Sequence, residues 1–245
     1  MRVFAISDLH LSFQTDKPMN LFGDKWDNYE ERIRQDWNSR VGEEDTVIVA
    51  GDISWAMRME ETTKDFEYLK TLRGYKIIIR GNHDYWWKSI SKIREVLAPD
   101  AYALQNDSFE RGGIVFAGTR GWRVPERRQT QTEEDKKIYD REVIRFELAL
   151  KDAIAKCGAF PPAPPLVGSQ SNSKIIAILH YPPFNATLDD SPFTALCEKY
   201  GVSACVYGHL HGKAGRVSHK VQKNGITYYL TSCDLVDYHL VAIDV

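Results

Sequence analysis

Residues 76–87 read KIIIRGNHDYWW. Ile77, Ile78 and Ile79 are apolar at successive positions, in a run too short for a helix. That pattern suits a strand covered on both faces, as in the interior of a parallel sheet. The strand runs straight into Gly81, Asn82, His83 and Asp84, three polar side chains behind a glycine. In open α/β sheets ligand sites lie just beyond the carboxyl ends of the strands. The reading therefore turns on whether other strands end in the same way.

They do. RVFAIS (residues 2–7) is followed by Asp8 and His10, and TVIVA (46–50) by Gly51 and Asp52. KIIAIL (174–179) runs into His180, and SACVY (203–207) into Gly208, His209, Leu210 and His211. IVFAG (114–118), ITYYLT (226–231) and HLVAID (239–244) complete the strands. Five strand ends thus carry Asp8, His10, Asp52, Asn82, His83, His180, His209 and His211. The glycines before Asp52, Asn82 and His209 are expected to let the backbone turn sharply. Each motif alone is a common turn, and a lone histidine is usually structural. Their joint occurrence in order, each at a strand end, is what points to a metal site.

Helical spacing lies between the strands. Phe66, Leu69 and Leu72 predict a helix over 60–73 that stops at Gly74. Ile90, Ile93 and Leu97 predict one over 88–97, and Tyr139, Val143, Phe146, Leu150 and Ile154 a long one over about 133–156. Alternating strands and helices argue for an α/β layered fold, with antiparallel pairing among the last, closely connected strands. The proline-rich stretch from Pro161 to Pro165 and the following GSQSNS are expected to form an exposed, mobile loop. Candidate ligands lie on both sides of it, so residues 1–245 are read as one domain.

Composition sets limits. A chain of 245 residues can bury a full core without staples. Net charge is −2, which argues against a surface built for long duplex nucleic acid. Cys157, Cys197, Cys205 and Cys233 include no C-x-x-C pair, and the N-terminus MRVFAISDLHLS has no apolar signal region. No apolar run approaches the 18 or so residues of a membrane helix. These features predict a cytoplasmic protein; nothing in them speaks to oligomeric state.

Asp8-Leu9-His10, Gly51-Asp52, Gly81-Asn82-His83-Asp84, His180 and Gly208-His209-Leu210-His211 together resemble the blocks of the calcineurin-like metallophosphoesterases. The resemblance spans residues 8 to 211 and includes every block. It implies a two-sheet β-sandwich flanked by helices in four layers, with a dinuclear metal centre. It also implies that Asp8, His10, Asp52 and His211 hold one ion, and that Asp52 bridges to a second held by Asn82, His180 and His209. Carboxylates, imidazoles and an amide oxygen suit first-row divalent ions such as Mn, Fe or Zn. The implied reaction is hydrolysis of a small phosphodiester or phosphomonoester by a metal-bridging hydroxide. His83 would be the catalytic histidine facing the leaving group, with Asp84 as its candidate orienting partner.

Around this set, Trp55, Trp86, Trp87 and Trp122 follow strand ends, where core packing and substrate stacking are both open readings. Arg123, within GTRGWRVPERR (118–128), is a candidate phosphate clamp, and Trp122 a candidate substrate contact. Residues 13–37, with Phe22, Trp26, Tyr29 and Trp37, form either a cover over the metals or a packed connection to a helix. His219 and His239 match no block and are read as structural.

Protein Ser/Thr phosphatases of the same family carry G-D-x-V-D-R-G. Residues 51–58 here are GDISWAMR, without the second aspartate or that arginine. Protein phosphatase activity is therefore disfavoured, and a small phosphohydrolase of the bacterial type is favoured. Arg58 is left as an open substitute. Two alternatives remain: a nuclease acting on short single strands through the Arg120–Arg128 cluster, and a binding scaffold without catalysis. The complete donor set disfavours the scaffold.

Overall fold

The computed structural model describes residues 1–158, 174–212 and 218–245. The proline-rich stretch and GSQSNS lie outside them. The described chain forms two sheets. The first has the order β11(Val241–Ala242), β1(Val3–Ile6), β2(Thr46–Val49), β3(Tyr75–Ile79) and β4(Ala101–Leu104). The second has the order β5(Asp107–Arg111), β6(Ile114–Thr119), β7(Lys174–Leu179), β8(Ala204–Tyr207), β10(Ile226–Leu230) and β9(Lys220–Lys223). Strands β1 to β4 pair in parallel, as do β6, β7, β8 and β10. Antiparallel pairing is confined to the rims: β11 on β1, β5 on β6 and β9 on β10.

The apolar runs are explained by what covers each face. Along β1, Val3 and Ala5 join a core between the two sheets, while Phe4 and Ile6 face outward. In β3, Ile77 and Ile79 point inward and Ile78 outward. In β7, Ile176 and Ile178 meet the first sheet, and Ile175, Ala177 and Leu179 face the other way. Because both faces are dry, no polar alternation survives along these strands.

The outer face of the first sheet packs on α1(Tyr29–Arg40), α2(Thr63–Lys70) and α3(Ile90–Leu97), through Ile33, Trp37, Phe66, Leu69, Ile93 and Leu97. The outer face of the second packs on α4(Glu133–Lys156) and α5(Pro192–Lys199), through Phe146, Leu150, Phe193 and Cys197. The result is a helix–sheet–sheet–helix sandwich in which α/β layering and a two-sheet core coexist.

The expected elements shift at their ends. The helix expected over 60–73 begins as a 3-10 turn, Met59–Thr62, before α2, and the strand expected over 239–244 shrinks to β11. α1, β4, β5, α5 and β9 were not expected. The two sheets meet at one end: Ser7 N–H donates to Thr231 O at 2.8 Å, and Cys233 N–H to Ser7 O at 3.0 Å. That seam brings the carboxyl ends of β1 and β10 together, beside those of β2, β3, β7 and β8. No disulfide joins the four cysteines, and no helix among the described residues is long and apolar enough to cross a membrane.

At the opposite end, Asp45 accepts from Arg2 N at 2.7 Å, from its Nη2 at 2.6 Å and from Gly42 N at 3.0 Å. Burial pushes this carboxyl up, but those hydrogen bonds outweigh it and hold its pKa at about 2, below the ordinary 3.8. A carboxyl lowered on folding stabilises the fold above its unfolded pKa and loses that contribution as pH falls through the folded one. Asp45→Asn is expected to flatten the part of the melting-temperature profile that falls between pH 4 and pH 2, measured by thermal denaturation across that range.

Candidate metal centre

Asp8 and Asp52 leave the adjacent parallel strands β1 and β2 and are both buried. The sandwich brings His180, His209 and His211 to them from the other sheet, while His10 follows Asp8 at the end of β1. His211 Nε2 lies 3.4 Å from Asp8 Oδ1 and 3.4 Å from His10 Nε2. His10 Nε2 is 3.9 Å from Asp52 Oδ2, and His180 Nε2 is 3.5 Å from the same oxygen. Asn82 Oδ1 receives two imidazoles, His180 Nε2 at 2.7 Å and His209 Nδ1 at 2.8 Å. All seven side chains expected to be ligands therefore form one connected cluster. Within it, Asp8, His10 and His211 can point donor atoms within 4.8 Å of one another, and so can Asp8, Asp52 and His180.

The donor chemistry fits divalent cations. Asp52 is pushed up to about 9 by burial, with the charges of Asp8 and Asp84 acting in the same direction. Asp8 is driven below the usual carboxylate range: burial opposes this, but a hydrogen bond from His211 and the charge that His211 carries beside it prevail. Two buried carboxylates this close cannot both ionise without added positive charge. Burial lowers His10 to about 3 and His209 to about 4, so both are neutral imidazoles at pH 7, the form that ligates metal. His10 Nδ1 is buried without a partner, and the paired nitrogens of His10 and His211 face each other.

The local backbone is unusual in a coherent way. Asp8, His10, Asp52 and His209 all have left-handed φ, at 59°, 47°, 50° and 73°. Such non-glycine residues cost about 1–3 kcal/mol each and persist where the surroundings over-determine them. The glycines divide by role. Gly51 has φ 92° and makes the turn. Gly81 and Gly208 do not; they serve close approach. A Cβ at Gly81 would overlap the Asp52 carboxylate, and one at Gly208 would overlap Ser7 Oγ and the Asp8 carboxylate.

Asp84 does not orient His83. Its fully buried carboxylate accepts from Ile53 N at 2.9 Å, Ser54 N at 3.2 Å, Gly81 N at 2.7 Å and Trp86 Nε1 at 3.0 Å. It therefore ties the loop after β2 to the loop after β3, facing away from the histidine that precedes it. His83 is tethered instead through its backbone, whose N–H donates to Asp52 Oδ1 at 2.7 Å. Its ring packs at 4.6 Å from Trp55, and burial lowers its pKa.

Trp122 and Arg123 stand outside the cavity of His83, although Arg123 lines a separate one of about 300 Å³ that reaches His209. Trp122 packs on Tyr181 at 5.2 Å beneath the Arg120 guanidinium, and Arg123 is exposed and paired with Asp135 at 3.0 Å. Neither lines the cavity of about 370 Å³ that holds His10, Asp52, His83, His209 and His211. Its wall comes from Met19, Phe22, Trp26 and Trp55. The 13–37 segment is thus a packed connection whose front edge walls the cavity. Trp86 and Trp87 belong to the core, and Arg58 is exposed and paired with Glu61 at 3.0 Å.

Asp234 was missed by sequence reasoning. Its Oδ1 lies 2.7 Å from His211 Nδ1 and its Oδ2 accepts from Lys25 Nζ at 2.6 Å. This fixes the His211 ring and leaves Nε2 to face the cluster, the usual carboxylate–histidine arrangement behind a metal. The signal was present, since Asp234 closely follows β10 and so sits at another strand end. His180 is held similarly, by Ala50 O at 3.0 Å from Nδ1.

The family model for calcineurin-like phosphoesterases matches residues 1–213. The chain belongs to that family. Its residue clusters and its family together make it a metal-dependent phosphoesterase. Among solved structures it is similar in fold to TT1561 of Thermus thermophilus, with TM-score 0.57, 11% identity, and coverage of 99% of this chain and 98% of that one. It is also similar to phosphopantetheinyl hydrolase from Mycobacterium tuberculosis, with TM-score 0.51, 15% identity and coverage of 99% and 95%. A protein of unknown function from Aquifex aeolicus, AQ665, matches with TM-score 0.51, 13% identity and coverage of 98% and 95%. No protein of curated function matches in sequence.

Gly81→Ala is expected to push the Asp52 carboxylate out of the cluster. Metal content by elemental analysis should fall together with phosphoesterase activity, while the circular dichroism spectrum stays folded. Asp234→Asn should weaken metal affinity by about 10–100-fold, the usual effect of losing such a partner, read by competition with a chelating dye.

Proposed function

We propose that this chain is a dinuclear phosphoesterase that hydrolyses a small phosphate ester, diester or monoester, within one domain spanning residues 1–245. One observation carries the reading: seven donor side chains from five strand ends form one cluster, beside a histidine that is not needed as a ligand. In this reading Asp8, His10, Asp52 and His211 hold one ion, Asp52 is shared, and Asn82, His180 and His209 hold the other. Mn, Fe and Zn suit that mixed set of oxygen and imidazole donors. When bound, such a pair neutralises phosphoryl charge and makes water a nucleophile at neutral pH.

The remaining chemistry falls to the protein. His83 supplies a proton to the leaving oxygen; its pKa, lowered by burial in the free site, rises beside an anionic ester. Trp55 and the backbone bond to Asp52 fix where that imidazole stands. Trp26, Phe22 and Met19 exclude bulk water from one side and offer an apolar surface to the organic part of the ester. The nuclease alternative loses support because Arg123 and Arg127 are each paired with a carboxylate, those of Asp135 and Asp189.

Elemental analysis is expected to find close to two transition-metal ions per chain; a native, active, metal-free protein would overturn the reading. His83→Ala should reduce kcat by about 10²–10⁴-fold, the range for a general acid, with metal content unchanged. Rates on bis-p-nitrophenyl phosphate and on the monoester, each with Mn²⁺, Fe²⁺, Zn²⁺ and Mg²⁺, separate diesterase from monoesterase action.

A further inference from the structure

Next to this centre, on the same end of the sandwich but displaced toward β4, the ends of β3, β4 and β6 surround a second cavity of about 130 Å³. It shares no lining residue with the cavity of His83. Arg80, Lys88, Arg120 and Arg145 line it, against one carboxylate, Glu142. Glu142 is buried and already engaged, accepting from Arg145 Nη1 at 2.7 Å and Thr119 Oγ1 at 3.2 Å. Arg120 Nη2 stands off at 3.7 Å, too far for a hydrogen bond. One acid therefore faces four cations.

Arg80 is the telling member. Among the described residues its guanidinium has no ion pair, and its Nε is shielded from solvent without an acceptor. A shielded donor ordinarily has a partner. Arg111 also has an unpartnered Nε, but its guanidinium lies over the Tyr75 ring at 4.6 Å. Among the described residues no ring lies beneath Arg80 in this way. Three guanidinium forks around a small cavity match the oxygens of a tetrahedral anion, which can accept from several at once.

We propose that this cavity is an oxyanion subsite that takes a phosphate group through Arg80, Arg120 and Arg145. The phosphate is either inorganic phosphate or a second phosphate on the substrate of the neighbouring centre, the latter resting on the function proposed above. The subsite is joined to that centre through the backbone: Arg80 lies two residues before Asn82, and Arg120 O accepts from His180 N–H at 3.0 Å.

Titration of inorganic phosphate into the full-length protein by calorimetry tests this. Asp52→Asn removes a candidate metal ligand, so phosphate binding that survives it is not held by an intact metal centre. Such binding is expected to persist in Asp52→Asn, and to weaken by at least tenfold when Arg80→Gln or Arg145→Gln is added. Arg145 is partly exposed, so its variant serves if the Arg80 variant does not fold. Absence of any phosphate binding in Asp52→Asn, or binding indifferent to both arginine changes, would overturn the proposal. The source is read separately, from kcat/KM for an ester bearing a second phosphate relative to the same ester without it. A tenfold drop of that ratio in Arg145→Gln identifies the substrate's own phosphate; an unchanged ratio with lost phosphate binding identifies the free anion. The calorimetric arm stands even if the two-metal reading fails.

Discussion

Asp8 and Asp52 sit at the ends of adjacent parallel strands, both buried. Strands in one sheet run about 4.8 Å apart, so two carboxylates carried past the same end are forced into mutual range. Most of the local structure answers that constraint. His211, His10 and His180 crowd the pair from three sides. Four left-handed residues aim side chains inward, and two glycines leave room for the carboxylates themselves. None of this would be stable as an isolated loop cluster. It persists because each loop is anchored on a strand that is dry on both faces.

Anchoring and chemistry are assigned to different carboxylates. Asp84 spends its charge on three backbone N–H groups and an indole, locking two loops to each other. Asp234 holds one imidazole by the nitrogen that faces away from the cluster. Asp8 Oδ1 faces the His211 imidazole and Asp52 Oδ2 those of His10 and His180, although Asp8 also accepts from His209 N–H and Asp52 from His83 N–H. The consequence is a cluster whose side chains are held in place by hydrogen bonds from the protein itself.

The strands β1, β2, β3, β7 and β8 were legible because apolar residues at successive positions in a short run have one explanation, burial on both faces. α4 was legible because a 24-residue amphipathic helix repeats its spacing many times. β5, DSFER, escaped because it lies at a sheet edge and carries a single apolar residue, Phe109, and β4, AYAL, because four residues are too few to show a period. α1 escaped because only Tyr29, Ile33 and Trp37 face inward among charges. In the site, the residue types at strand ends could be read, but partners could not. Asp84 follows His83 directly, yet its side chain points into the protein. Trp122 and Arg123 leave a strand at the right end, but their side chains pack on Tyr181 and pair with Asp135, so neither lines the cavity of His83.

The lateral order of the strands also explains how a chain of net charge −2 handles an anion. Charge is sorted along the edge of the sandwich instead of being spread over its surface. The ends of β1 and β2, in the middle of the edge, carry the carboxylates that attract cations. The ends of β3 and β6, one strand farther out, carry Arg80 and Arg120 with a single acid between them. A phosphate ester approaching this end meets positive potential at both places, in one case supplied by guanidinium groups and in the other by whatever cations the carboxylates hold. The bulk charge count registers neither, because it sums over residues and takes no account of strand order.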